Sequence, residues 1–183
     1  MKIKDPRMMH DFVNGVLEGK DVVTSKKLLK DARHFYENGD CDLSDDTVMY
    51  EVYMFSDGDP KTVGNLNWGL SLLKPVYVNG ECNITRGHFH ADTNFAEIYM
   101  CFAGEGLLLY MDENAKCWAE KMTPGSVHHI DGKYAHRLVN TGEVDLKIGC
   151  CWPTTAGHDY ARVEKMPFSA RVFKENGEII IKE

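Results

Sequence analysis

The sequence predicts an all-β chain folded as one antiparallel sandwich or barrel. Three observations lead there. From residue 48 onward, short apolar or alternating runs rich in β-branched and aromatic residues follow one another. Turn chemistry separates them at regular intervals, at Asn79-Gly80, Gly104-Glu105-Gly106, Pro124-Gly125, Asp131-Gly132, Thr141-Gly142 and Asn176-Gly177. Finally, 183 residues with 43% hydrophobic content, free of repeats and linkers, suit one domain with a good core.

Taken in order, residues 1–47 are expected to be an N-terminal extension packing on the barrel, and residues 48–183 the barrel itself. Within the extension, SKKLLKDARHFYENG sets Leu28, Leu29, Ala32, Phe35 and Tyr36 at helical spacing and ends on Asn-Gly, so a helix is expected there. Strands are expected at VMYEVYMF (48–55), LNWGLSLLKPVYV (66–78), AEIYMCFAG (96–104), GLLLYMD (106–112), SVHHI (126–130), AHRLVN (135–140) and LKIGCCW (146–152). The final ARVFKENGEIIIKE reads as a hairpin that could extend a sheet edge.

Charge and composition narrow the function. The chain carries 28 acidic against 21 basic residues, a net charge of -7. Nucleic-acid binders usually show a basic stripe, so no nucleic-acid partner is expected, and any anionic ligand must be small and locally held. MKIKDPRMMHDF has no apolar run suited to a signal peptide, and no window approaches the ~20 apolar residues of a membrane span. A cytoplasmic protein without a membrane partner is expected. The six cysteines have no CxxC spacing and read as reduced thiols.

RGHFHADTNFAEIY carries the chemistry. His88 and His90 are two apart, so on an extended strand both imidazoles project from one face and can chelate one ion. The next strand begins at Glu97, and His136 on a separate strand can close the site if the sheet curls into a barrel. Three imidazole nitrogens and one carboxylate suit a divalent first-row metal with positions left open for substrate or water. Glu97 lies between apolar Ala96 and Ile98, so it needs a buried partner or a cavity to face. His128 and His129 are adjacent, so at most one points inward, and neither is taken as a ligand.

HxH with Glu97 and Gly104, followed by Gly125, His136 and Asn140, resembles the two motifs of the cupin superfamily. Within it, VMYEVYMF, GNLNWGLSLL, TRGHFHADTNFAEIYMCFAGEGLLL, PGSVHHIDGKYAHRLVNTG and WPTTAGHDY resemble, in order, the blocks of the cupin-type glucose-6-phosphate isomerases, over roughly residues 45–175. The resemblance implies a double-stranded β-helix (jelly-roll) barrel, usually a homodimer. It also implies one divalent ion per chain, iron foremost with manganese, nickel or zinc as alternatives, on His88, His90, Glu97 and His136. It places the phosphosugar contacts on Ser71, Thr85, Gly87, Tyr99, Trp152, His158 and Tyr160. Two of these depart from the family pattern: Ser71 stands for a threonine, and Trp152 for a tyrosine, so an indole N–H that can only donate replaces a phenolic hydroxyl.

The implied reaction interconverts glucose 6-phosphate and fructose 6-phosphate. It needs a base and stabilisation of an enediolate, and Glu97 is the candidate base, with His136 beside it. A metal-assisted hydride transfer between C1 and C2 would relieve Glu97 of that role. Two other readings of the same residues remain open: a cupin dioxygenase using three histidines and a glutamate on iron, and a sugar-binding cupin without catalysis.

Overall fold

The structure, a computed structural model, describes residues 1–183. A six-stranded antiparallel sheet runs in the order Val127–Ile130, Glu97–Ala103, Leu146–Pro153, Leu66–Leu73, Val48–Ser56 and Val23–Leu28. A three-stranded sheet, Cys117–Met122, Gly106–Met111 and Ala135–Asn140, supplies the opposing wall. Single bridges from Ile84 to Val139 and from His88 to His136 widen that wall. Side chains from both sheets, among them Tyr99, Cys101, Ile148 and Trp152 from one and Leu108, Tyr110 and Leu138 from the other, meet in one core. Two antiparallel sheets closed on such a core form a jelly-roll barrel, the all-β architecture expected from the sequence.

Period-two burial explains the strands. Along Glu97–Ala103, Glu97, Tyr99 and Cys101 are buried while Ile98 and Met100 face outward. Ala135–Asn140 is buried at every position. Its outer face, Ala135 and Val139, joins a second core with Leu29, Ala32, Phe35, Val163 and Phe168. The C-terminal hairpin forms as expected: Arg171–Glu175 pairs with Glu178–Lys182 across Asn176 (φ 51°) and Gly177 (φ 84°), and Phe173 pairs with Glu81, so the hairpin extends Tyr77–Val78 and Glu81–Cys82 into a four-stranded sheet.

Three segments differ from expectation. Only Leu29–Ala32 is α-helical, followed by a 3₁₀ turn at Arg33–Phe35, because Val23–Leu28 pairs with the free edge of Val48–Ser56. Strand pairing here outweighs helical spacing, and Leu29 N–H donates to Thr47 O at 2.9 Å. The run 66–78 breaks at Lys74-Pro75, so Tyr77–Val78 joins a different sheet from Leu66–Leu73. Cys117–Met122 is a strand that no run announced; it borders Gly106–Met111 and is mostly outward-facing.

The N-terminal hairpin, Met9–Asp11 with Val16–Glu18, lies on the outer face of the large sheet. Trp68 Nε1–H donates to His10 Nε2 at 2.7 Å, and the imidazole also packs edge-on to Phe102. Burial holds the His10 pKa below its usual value.

Two expected outcomes follow from these contacts. Asn140 is 1% exposed, donates to Leu73 O and Val144 O, both at 2.9 Å, and accepts from Gly142 N–H at 3.0 Å. Asn140→Leu strands those groups and lowers stability by on the order of 3 kcal/mol, measured by denaturant unfolding; a loss below about 1 kcal/mol contradicts this account of the loop. His10 must be neutral to accept from Trp68. Its pKa is lower when docked than when free, so docking is complete above the usual histidine value of 6.5 and weakens as pH falls below it. Tryptophan fluorescence should show a step below pH 6.5 that His10→Gln lacks, and an identical step in both proteins rules the linkage out.

Candidate metal centre

Four side chains from three places in the chain converge at the bottom of the barrel. His88 precedes the short strand Phe89–His90, Glu97 opens its strand, and His136 is second in Ala135–Asn140. His88 and His136 exchange both backbone hydrogen bonds, at 3.3 and 3.1 Å. One ligand atom from each of His88, His90, Glu97 and His136 lies within 4.8 Å of all the others. The side chains of His90, Glu97 and His136 are almost wholly removed from solvent.

The polar geometry of this cluster fits a cation. His90 Nδ1 sits 2.7 Å from Phe95 O and His136 Nδ1 3.3 Å from Tyr134 O. A carbonyl accepts only from N–H, so each ring carries a proton on Nδ1 and turns Nε2 inward, the ring orientation that metal-ligating histidines use. His88 Nε2 and His136 Nε2 are buried without a hydrogen-bond partner. The His136 nitrogen stays so although Glu97 Oε1 is 2.5 Å away, because the approach lacks hydrogen-bond geometry. His90 Nε2 lies 3.2 Å from the same oxygen.

The ionisation of the cluster agrees. Burial would raise the Glu97 carboxyl, but neighbouring His136, His90 and His88 outweigh it and hold it well below the usual carboxylate range. Burial, then repulsion from His136 and His158, drives His88 far below an ordinary histidine. For His90 burial pulls downward, yet the hydrogen bond and charge of Glu97 win and raise it. An anionic carboxylate among inward-facing ring nitrogens suits three nitrogen ligands and one oxygen ligand on a divalent ion.

Above this cluster opens a cavity of about 390 Å³. Ser71, Thr85, Gly87, Tyr99, Trp152, His158 and Tyr160 all line it, together with His88 and Glu97. His90 and His136 lie behind the wall rather than in it. Thr85 Oγ1 accepts from Leu138 N–H at 3.0 Å, which leaves its own proton to donate into the cavity. Gly87 has φ 76°, and a Cβ there would lie 2.8 Å from the Phe168 ring, so only glycine lets the backbone turn toward His88. Trp152 lies over Gly69, where a Cβ would come within 3.0 Å of the indole. His158 stacks on Tyr160 at 5.6 Å and meets His88 edge-on at 4.3 Å. Burial lowers the His158 pKa, so the ring is neutral near pH 7.

The structure also brings residues to the cavity that local pattern did not single out. Ser25, Lys26 and Lys27 come from the strand Val23–Leu28, and Tyr50, Val52 and Met54 from its neighbour. Only long-range pairing puts them there. Arg86 carried a signal, since it lies inside the TRGHFH run, and its guanidinium stacks 4.4 Å over Tyr160. His128 is buried outside the cluster, 2.8 Å from Ser126 Oγ and 2.6 Å from Glu120 Oε2.

Comparison with known proteins bears on the same segments. The glucose-6-phosphate isomerase (GPI) family model matches residues 13–183. The glucose-6-phosphate isomerase of Thermococcus litoralis is 30% identical over 188 residues, covering 100% of this chain and 97% of that protein. That of Pyrococcus horikoshii is 34% identical over 174 residues, 92% of this chain and 89% of the other. That of Thermococcus kodakarensis is 38% identical over 138 residues, 75% of this chain and 71% of the other. The match takes in all four residues of the histidine–glutamate cluster and the whole cavity wall, and the chain belongs to the glucose-6-phosphate isomerase family.

Proposed function

We propose that the chain is a metal-dependent aldose–ketose isomerase that interconverts glucose 6-phosphate and fructose 6-phosphate. The observation that carries this reading is the convergence of His88, His90, Glu97 and His136 within 4.8 Å beneath a cavity walled by hydroxyl and imidazole groups. A divalent ion held by these four residues, iron foremost, supplies Lewis-acid polarisation to the sugar oxygens. The catalysed relatives' substrate fits the cavity's charge: the carboxylate lies at the floor, while Lys26, Lys27 and Arg86 stand in the walls. A phosphate held there by Thr85, the backbone at Gly87 and the Trp152 indole N–H would leave C1 and C2 to reach the floor.

Glu97 is the group assigned to accept a proton from carbon. Its contacts with His90 and His136 both use Oε1, which leaves Oε2 for the substrate. Its low pKa makes it a weak base while both histidines face it, so proton transfer requires one of those contacts to loosen as substrate binds. His158 and Tyr160, stacked at the cavity wall, are assigned to the sugar hydroxyls, and their ring faces exclude water from the floor. The same reading pairs two copies of the chain. Exposed Ile98, Met100 and Val127, the last two paired across adjacent strands, form an apolar outer surface suited to such pairing.

Chelation should abolish conversion of fructose 6-phosphate in a coupled assay, and iron, manganese, nickel or zinc should restore it. Full turnover by protein shown to be metal-free overturns the metal assignment, and no turnover with any metal overturns the isomerase. Glu97→Gln should lower kcat by about 10²–10⁴-fold. In the parent enzyme, deuterium from solvent should appear at C2 of the product aldose; its complete absence, with exchange controls, replaces the carboxylate base with hydride transfer between the carbons.

A further inference from the structure

A second cavity of about 180 Å³ lies against the opposite face of Ala135–Asn140, outside the barrel, and is lined by Arg86, Arg137 and Arg171 with Glu164 and Phe168. Two of these guanidiniums are paired. Arg171 Nη1 donates to Glu81 Oε1 at 2.9 Å and to Phe35 O at 3.2 Å, and Arg86 pairs with Glu164. Arg137 is not. It is 7% exposed, its Nη2 donates to Ala170 O at 3.1 Å, and its guanidinium lies 4.3 Å over the Phe168 ring. Its Nε is buried without any partner, and it makes no salt bridge.

A buried charge without a counter-ion is costly, and the buried carboxylates here, Glu81 and Glu97, are both matched. A guanidinium does not lose its proton at neutral pH, so Arg137 is a buried cation. A hydrophobic side chain would fill this position in a closed core at lower cost. The guanidinium instead borders a cavity whose other walls carry two more.

We propose that this cavity is a second anion site, taking one free phosphate-sized oxyanion between Arg137, Arg171 and Arg86. Forked N–H donors match the oxygens of a tetrahedral anion, and unsatisfied Arg137 would gain its missing counter-charge. At about 180 Å³ the cavity is less than half the size of the one over the metal cluster, too small for a hexose phosphate but ample for inorganic phosphate. Glu164 competes for Arg86 from the exposed side. Since Arg86 borders both cavities, the two anion positions share a wall without sharing a space.

Equilibrium dialysis of the full chain against labelled inorganic phosphate, with and without saturating fructose 6-phosphate, tests this. One phosphate per chain should stay bound when fructose 6-phosphate is present. Glu164→Gln should tighten that phosphate by about two- to five-fold, the worth of an exposed ion pair. Arg137→Lys should weaken it by about tenfold or more, as loss of charged hydrogen bonds does. If Arg137→Lys does not fold, Glu164→Gln decides alone. Displacement of all phosphate by fructose 6-phosphate, or retained phosphate indifferent to Glu164→Gln, overturns the second site.

Discussion

The strand Ala135–Asn140 is covered on both faces, and the layout of the molecule depends on that constraint. A doubly covered strand must divide its alternating side chains between two cores. His136 and Leu138 turn into the barrel, while Ala135, Arg137 and Val139 face the outer core. Its backbone also holds the neighbouring segment. The two bonds to His88 fix the first histidine, and the Leu138 backbone bonds both the backbone N–H and the side-chain hydroxyl of Thr85. Asn140 closes the end by tying down the loop that leads to the next barrel strand. The cluster floor and a wall of the cavity above it thus hang on one strand whose position core packing leaves little room to change.

Charge is arranged in the same economical way. A chain with net charge -7 has no general affinity for anions. Local geometry supplies it: Lys26, Lys27 and Arg86 line the large cavity while the only carboxylate in its wall, Glu97, lies with the histidines. The carboxylate is ionised there despite burial because three imidazoles surround it. Carbonyls of Phe95 and Tyr134 hold the Nδ1–H of two of those rings and so aim Nε2 at the carboxylate. Those carbonyls belong to loops whose own positions follow from strand register, so the fold reaches the chemistry through the second ring nitrogen.

Much of the barrel was legible because a half-buried strand writes its alternation into the sequence, as Glu97–Ala103 does. Segments whose state depends on a distant partner were not. Val23–Leu28 carries helical spacing at its end but becomes a strand because Val48–Ser56 offers an open edge. Cys117–Met122 buries little and so lacks the apolar signal by which strands are recognised. Lys74-Pro75 splits a continuous apolar run because a proline cannot donate into the ladder.

The sequence by itself determined the β class, the turn positions, and the His88, His90, Glu97 and His136 set, since these rest on local period and residue chemistry. The segment order of the family blocks also placed the seven cavity residues from Ser71 to Tyr160. Only the tertiary structure decided that Lys26, Lys27 and Tyr50 share their cavity, and that Glu97 faces two imidazoles through one oxygen. It alone showed that Arg137, one residue from His136, turns away from the cluster into a cavity of arginines. The reason is physical: side-chain period says which residues share a face, but the partner across that face is set by long-range pairing, which no local pattern encodes.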